Sequence, residues 1–433
     1  LASTAVNAAS DQTGNQAESS IAPGGRFAWL VAAYGVSTCG NYLNLVALAL
    51  FTYEVTGSGL GVGLVAALRL VTGSLAGFAA GALAARFDRR RLMIGADLAQ
   101  VVAMTVLAAT TRAADVVVLG CAVAVLGAGN SLFTVALRSA VPDVVGAAAR
   151  VRANGMLVTA KSVAMVCGFA GAGPLIGIGG FAAAFAFNAA TFVVSAVALA
   201  LIRFRAHEPA DVAPATAGAG LTLAGLAPVV LLMLVLRGVD AFASSSHNTA
   251  LPVFAATTRP DGAATFMSYF WVAWAVGVLC AHRVVTRWGG LGTAHRLERA
   301  FGLATCAMAV SFTLAFTGLP EIAMALVVLV AGLADGVTEI AYVSRLQEAP
   351  DHLRTRLFGL SATIETSGFA LGMAAAGALL EVLPALAVVG LLHGLALCAA
   401  TAFLLFTTRS SAHGSSGGTR RRERARAHHL PRS

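Results

Sequence analysis

Apolar residues run along this chain in blocks of about twenty, separated by short polar stretches, with no sustained alternation of apolar and polar positions. A helix rises about 1.5 Å per residue, so a block of about 20 residues spans the roughly 30 Å hydrocarbon core of a bilayer. Twelve such blocks can be counted, near 27–53, 60–84, 92–110, 115–137, 154–178, 181–202, 223–254, 264–284, 298–317, 320–344, 357–380 and 383–407. Ala, Leu, Val and Gly fill them, without the aromatic girdles and period-two pattern of a membrane barrel. The pattern predicts an all-α integral membrane protein with twelve transmembrane helices.

Composition agrees: 58% of the 433 residues are hydrophobic and 11% charged, and the mean hydropathy is +0.80. The net charge of +9 changes the picture only through its placement. With a cytoplasmic N-terminus, 24 of the 29 Lys and Arg residues fall in cytoplasmic loops and tails. Arg112 and Arg259 fall outside, and Arg69, Lys161 and Arg237 lie within blocks. That is the positive-inside distribution, so the basic character points to topology and anionic lipid instead of nucleic acid. Six cysteines sit singly within apolar blocks, which indicates neither a disulfide framework nor a zinc site. The first 26 residues are polar with no apolar signal core, and read as a disordered cytoplasmic tail.

Between the sixth and seventh blocks lies RFRAHEPADVAPATAGAG, a linker by composition. The expected organisation is therefore an N-tail at 1–26, a six-helix bundle at 27–204, a linker at 205–221, a second six-helix bundle at 222–408 and a basic tail at 409–433. The halves echo each other. RSAVPDVV follows the fourth block and SRLQEAPDHL the tenth, and GALAAR at Gly81 is echoed by GVLCAH at Gly277. Such repeats suggest two pseudo-symmetric bundles suited to alternating-access transport.

The loop GALAARFDRRR carries the most specific signal. Gly81, Leu83, Ala84, Arg86, Arg89 and Arg90 match G-x-L-A-D-R-x-G-R-R, so the chain resembles the major facilitator superfamily from about 27 to 408. RFDRRRLMIGADL, with Asp88 and Asp97, is similar to the macrolide-efflux-like branch of drug exporters, as is QEAPDHLRTRLFGL, where Thr355 replaces an expected glycine. Gly173, Pro174 and Gly177 keep the Gly-Pro-x-x-Gly core of the fifth-span element associated with exporters. The resemblance implies that Gly81 permits close helix contact and that Arg86, Arg89 and Arg90 bind helix ends or acids such as Asp88 and Asp97. Two departures matter. Ala85 stands where the family has an aspartate, which implies a weaker cytoplasmic latch and an inward-open bias, and the fourth block lacks a basic residue before Arg138.

No phosphate-cradling G-x-x-x-x-G-K-[ST] occurs, and GSGLGVG at Gly57 opens a membrane helix with no strand before it. No nucleophile, base and orienting acid occur at informative spacing, so an enzyme is not expected and no cofactor or metal is implied. Charges within the blocks are the functional pointers, because a charge at mid-bilayer costs about 2.5–3.5 kcal/mol or more unless it faces protein or water. These are Arg69, Lys161, Arg237, Asp240, Asp335, Glu339 and Glu365. Arg237 and Asp240, three apart, could neutralise each other. Asp335 and Glu339, four apart, repel, so one could hold a proton near neutral pH. Lys161 and the carboxylates Asp335, Glu339 and Glu365 lie at comparable depth and could pair, with Asp240 as rival coupling group. Asn41, Asn44, Asn130, His247 and Asn248 are polar candidates along the path that the resemblance places between spans one, four, seven and ten.

The resulting expectation is a monomeric, multi-pass cell-membrane exporter of an amphipathic small molecule, exchanging it for protons, with both termini cytoplasmic. Uptake or exchange of a nutrient, metabolite or siderophore is the alternative within transport, and a non-transporting receptor or scaffold the alternative outside it.

Overall fold

The computed structural model describes residues 25–113, 115–145, 149–202, 228–287 and 292–427, and these form helices joined by short turns, with no strand among the described residues. The expected linker and nearly all of the expected N-tail lie outside the described residues. The helices are α1 Gly25–Thr56, α2 Gly59–Arg86, α3 Arg89–Thr110 and α4 Val116–Val145. Next comes one run, Arg150–Leu201, whose backbone leaves helical geometry at Gly180. Its two parts are α5, residues 150–179, and α6, residues 181–201. Then follow α7 Pro228–Thr258, α8 Ala263–Arg287, α9 Ala294–Ala315, α10 Glu321–Gln347, α11 Asp351–Leu380 and α12 Ala385–Ala427.

Ten helical stretches among the described residues are long and apolar enough to cross a membrane, and one of them, Arg152–Leu201, has 50 residues, the length of two crossings. The helix α1 is not among the ten, because Ser37, Thr38, Asn41 and Asn44 dilute its apolar run. Helix ends are set by local chemistry. Gly57 takes φ 60, and the Ser58 side chain accepts a hydrogen bond from the Gly61 amide, which starts α2. GSGLGVG is thus a turn and a cap. Asp88 caps α3 by accepting from the Arg91 amide at 2.9 Å. The helices α4 and α10 continue past Arg138 and Arg345, beyond the apolar blocks, and α12 continues into the basic tail.

Two compact units result, residues 1–219 with 251–272, and residues 220–250 with 273–433. In the first, Phe27 and Leu30 of α1, Met93 of α3, Phe133 and Leu137 of α4 and Leu199 of α6 form one buried cluster. In the second, Met233 of α7, Phe301 of α9, Tyr342 of α10, Leu357 of α11 and Phe403 of α12 do the same. Large apolar side chains also point outward, Ile178, Phe78 and Ile322 among them, as a lipid-facing surface requires. Lipid offers no hydrophobic drive between helices, so close backbone approach matters more than in water. Gly127 of α4 packs on the Arg69 carbonyl of α2, and Gly332 of α10 on the Trp274 carbonyl of α8.

Candidate functional site

Helix α7 brings Arg237 into the interior of the second unit, where its side chain is 10% exposed. Nη2 donates to Glu339 Oε2 of α10 at 2.6 Å and to Glu365 Oε1 of α11 at 2.8 Å. Asp240, one turn along α7 and buried, lies 3.8 Å from Nη1. The guanidinium stands 5.4 Å from the centroid of the Tyr342 ring, a cation–π distance. Tyr342 is itself fixed by a 2.8 Å hydrogen bond between its hydroxyl and Ser361 Oγ. Asp335, one turn before Glu339 on α10, accepts from Trp274 Nε1 of α8 at 3.2 Å and still feels the Arg237 charge. One guanidinium thus faces four carboxyls drawn from three helices, with two aromatic rings beside them.

This arrangement extends the expected Arg237–Asp240 pair. Arg237 is not neutralised by Asp240 alone, since its short contacts go to Glu339 and Glu365. The cation that gathers those two glutamates within the second unit is Arg237, and Lys161 is exposed on α5 of the first unit. The reason is lateral: α7 places its arginine against α10 and α11 within one unit, and matching depth in sequence carries no information about which helices are neighbours.

A second polar station lies ten residues further along α7. His247 Nδ1 and His393 Nε2 of α12 are 3.2 Å apart, and both residues are buried. The His247 ring stacks on Phe312 of α9 at 3.7 Å between centroids. Asn248 Nδ2 donates to the Ser244 carbonyl at 3.0 Å and meets His247 Nε2 at 3.2 Å. Asn248, His247 and His393 thus form a chain of polar contacts whose donor and acceptor roles are set by the histidine tautomers. His393 escaped the sequence reading, although a lone histidine in ALAVVGLLHGLALC was signal enough. Trp274 and Tyr342 left no such signal, being ordinary aromatics in apolar helices.

In the first unit the signature-loop arginines reach backbone. Arg89 Nη1 donates to the Ser139 carbonyl of α4 at 2.6 Å, Arg90 Nε to the Leu199 carbonyl of α6 at 2.7 Å, and Arg90 Nη2 to the Ala200 carbonyl. Cations at helix C-termini are favourable there. Leu199 and Ala200 close α6, whereas Ser139 lies two turns inside α4; Asp88 serves as the α3 cap, and Asp97 is buried with Ser195 of α6 as its polar neighbour. Arg86 is exposed. A Cβ at Gly81 would meet no atom within 4 Å among the described residues. Gly173 does sit at a close approach, its amide donating to Ser268 Oγ of α8 at 2.8 Å, with a Cβ falling 2.8 Å from Thr265 Cα. Pro174 is exposed beside it, and Gly177 faces open space. Of the remaining candidates, Asn44 is fully buried, Asn41 and Arg69 are partly buried and Asn130 is exposed.

The fold has many solved counterparts. A peptide transporter POT in complex with sulfate superposes with a TM-score of 0.71 at 15% identity, covering 91% of this chain and 98% of that one. The nucleoside transporter NupG gives 0.66 at 13% identity, covering 88% and 99%. A bacterial homologue of the iron transporter ferroportin, in its inward-facing state, gives 0.62 at 15% identity, covering 89% and 98%. A search of curated protein sequences gives no match. At such identities these neighbours speak for the fold alone, but the sequence model of the Major Facilitator Superfamily matches residues 30–373. Long apolar helices, a signature loop that clamps helix ends and a family match over most of the length lead to one conclusion: the chain is a multi-pass membrane transporter belonging to the Major Facilitator Superfamily.

Proposed function

We propose that the chain exports an amphipathic small molecule by alternating access and draws its energy from proton antiport across the cell membrane, with both termini cytoplasmic. The observation that carries the reading is the cluster around Arg237. With every group ionised, one positive charge faces four negative ones, a net of −3 among Arg237, Asp240, Asp335, Glu339 and Glu365. An excess of this kind inside a helix bundle is balanced by bound protons or by a cationic ligand. A proton on Glu339 or Glu365 loosens its bond to Arg237, and a cationic group on the substrate competes for the same carboxylates. Occupancy by one therefore opposes occupancy by the other, the relation that antiport needs. Trp274, half-buried, offers an apolar face to the rest of an amphipathic ligand. The Gly173-Pro174-x-x-Gly177 element supports the outward direction by resemblance to exporters.

The test uses everted vesicles with an imposed pH gradient and a panel of macrolides and fluorescent amphipathic cations such as ethidium. Wild type should accumulate at least one of them against its gradient. Asp240→Asn and Asp335→Asn should lose uphill accumulation while keeping downhill exchange. Full proton-driven accumulation in both variants would remove Asp240 and Asp335 as coupling groups, the same result in Glu339→Gln and Glu365→Gln would remove the cluster, and parallel loss of expression and of both modes would make it structural.

A further inference from the structure

Lys161, the one lysine in the sequence, lies on α5 about 5 Å from the middle of that helix, and Arg138 lies on α4 about 11 Å from its middle. Both are displaced toward the membrane face at which α4 passes into α5, and both are exposed. The two helices pack together there, with Leu137 and Val141 of α4 in one buried cluster with Ala153 and Leu157 of α5. Lys161 and Arg138 are near enough for the charge of the second to act on the first. Along α5, Asn154, Val158 and Lys161 are spaced four and three apart and form one exposed stripe.

Neither cation has an ion pair or a hydrogen bond among the described residues. Little negative charge is at hand to supply one. The helices α2, α5 and α6 carry no acidic residue, and Glu54 of α1 stands at the opposite membrane face. Asp97 of α3 is buried with Ser195 of α6 as its polar neighbour. On α4, no acidic residue stands three or four positions from Arg138. A charge facing hydrocarbon near the middle of a span costs about 2.5–3.5 kcal/mol or more, so the exposed side of Lys161 looks onto water. Two like charges sharing that water repel, and water weakens the repulsion without neutralising it. An acid group held between them neutralises it, since arginine offers a carboxylate a planar fork and lysine a point charge. Val158 adds apolar surface beside the charges, its side chain 64% exposed. Depth argues against a lipid headgroup as the occupant, because lipid phosphates stand outside a hydrocarbon core about 30 Å thick and Lys161 lies close to the middle of its helix.

We propose that Arg138 and Lys161, with Val158 beside them, form a binding site in the first unit for the acid group of an amphipathic organic anion. The site is separate from the Arg237 cluster and rests on nothing said of it.

A single lysine makes the test direct. The purified full-length protein in a neutral detergent is treated at fixed pH with an amine-acylating ester, and acylation of Lys161 and of the N-terminal amine is followed by peptide mass spectrometry, in sodium benzoate against sodium chloride at equal ionic strength. Acylation needs the free, uncharged amine, which a bound carboxylate both covers and keeps protonated. Acylation of Lys161 should slow saturably, about tenfold when benzoate is at ten times its Kd, while the N-terminal amine is unaffected. Arg138→Gln should melt as the wild type does and lose the protection. The proposal is overturned if Lys161 is not acylated even in chloride, if benzoate protects it no more than chloride, or if Arg138→Gln keeps the full protection. Protection by added phosphatidylglycerol but not by benzoate would make this a lipid site and overturn it as well. Should Arg138→Gln fail to fold, Val158→Asp decides, because it places a carboxylate one turn from Lys161 at an exposed position: unchanged protection by benzoate in that variant rejects the site. None of these readouts involves transport, so failure here leaves the Arg237 reading standing.

Discussion

Arg90 in the first unit gives its guanidinium to the carbonyls of Leu199 and Ala200, whereas Arg237 in the second gives its own to Glu339 and Glu365. Arg345 follows the second pattern, with Glu298 at 3.0 Å and Glu348 at 3.3 Å. A carbonyl keeps its partial charge at every pH, so the Arg90 contact is a permanent clamp between α3 and α6. A carboxylate can be neutralised, so the Arg237 contact can be undone by a proton. Arginines of similar appearance therefore do different work, and the partner decides which.

The comparison breaks most visibly if Arg237 is removed. Arg237→Met strands Asp240, buried and without its cation, and should cost about 4 kcal/mol, as loss of one member of a buried pair typically does. A lowered melting temperature in detergent, partly restored when Asp240→Asn is added, is the expected result; equal melting of wild type and single variant would contradict the account. The glycine echo comes next. A side chain on Gly277 would overlap the Leu329 carbonyl and the Leu333 amide of α10, so Gly277→Val should cost about 3 kcal/mol. Gly81→Val, at the matching place in the first half, should fall within about 0.5 kcal/mol of wild type because nothing stands near it. Similar melting of the two variants would show that the echo extends to packing. The clamp should yield less than Arg237→Met or Gly277→Val: Arg90→Met should cost about 2 kcal/mol, the scale of charge-assisted bonds to carbonyls, and the loss should be independent of pH between 6 and 8. A pH-dependent loss would mean that the clamp has a titrating partner after all.

The sequence disclosed the helices well because twenty-residue apolar runs leave little choice in a bilayer. It was less informative at their ends. Pro142 and Pro350, 208 residues apart, look alike in sequence, but Pro142 lies within the last turn of α4 whereas Pro350 caps α11. The preceding apolar block cannot register that difference. For the candidate site, Arg237, Asp240, Asp335, Glu339 and Glu365 were all visible as charges in apolar helices. Their pairing was not, since periodicity relates residues three or four apart, while Glu339 and Glu365 lie 102 and 128 positions from Arg237. The partners of Arg89 and Arg90 were hidden for the same reason, since only the paths of α4 and α6 show which carbonyls those arginines reach.

At Gly180 the chain turns from α5 into α6 with φ 67 and ψ −171, a backbone region that only glycine enters freely. No connecting segment stands between the two helices, so the hairpin has no slack. A reporter tag, protease site or epitope placed at 180 would have to open the turn itself. In a scan of tag insertions through residues 150–201, this junction should be the gap in the map, and a library of substitutions at Gly180 should yield little protein besides the wild type.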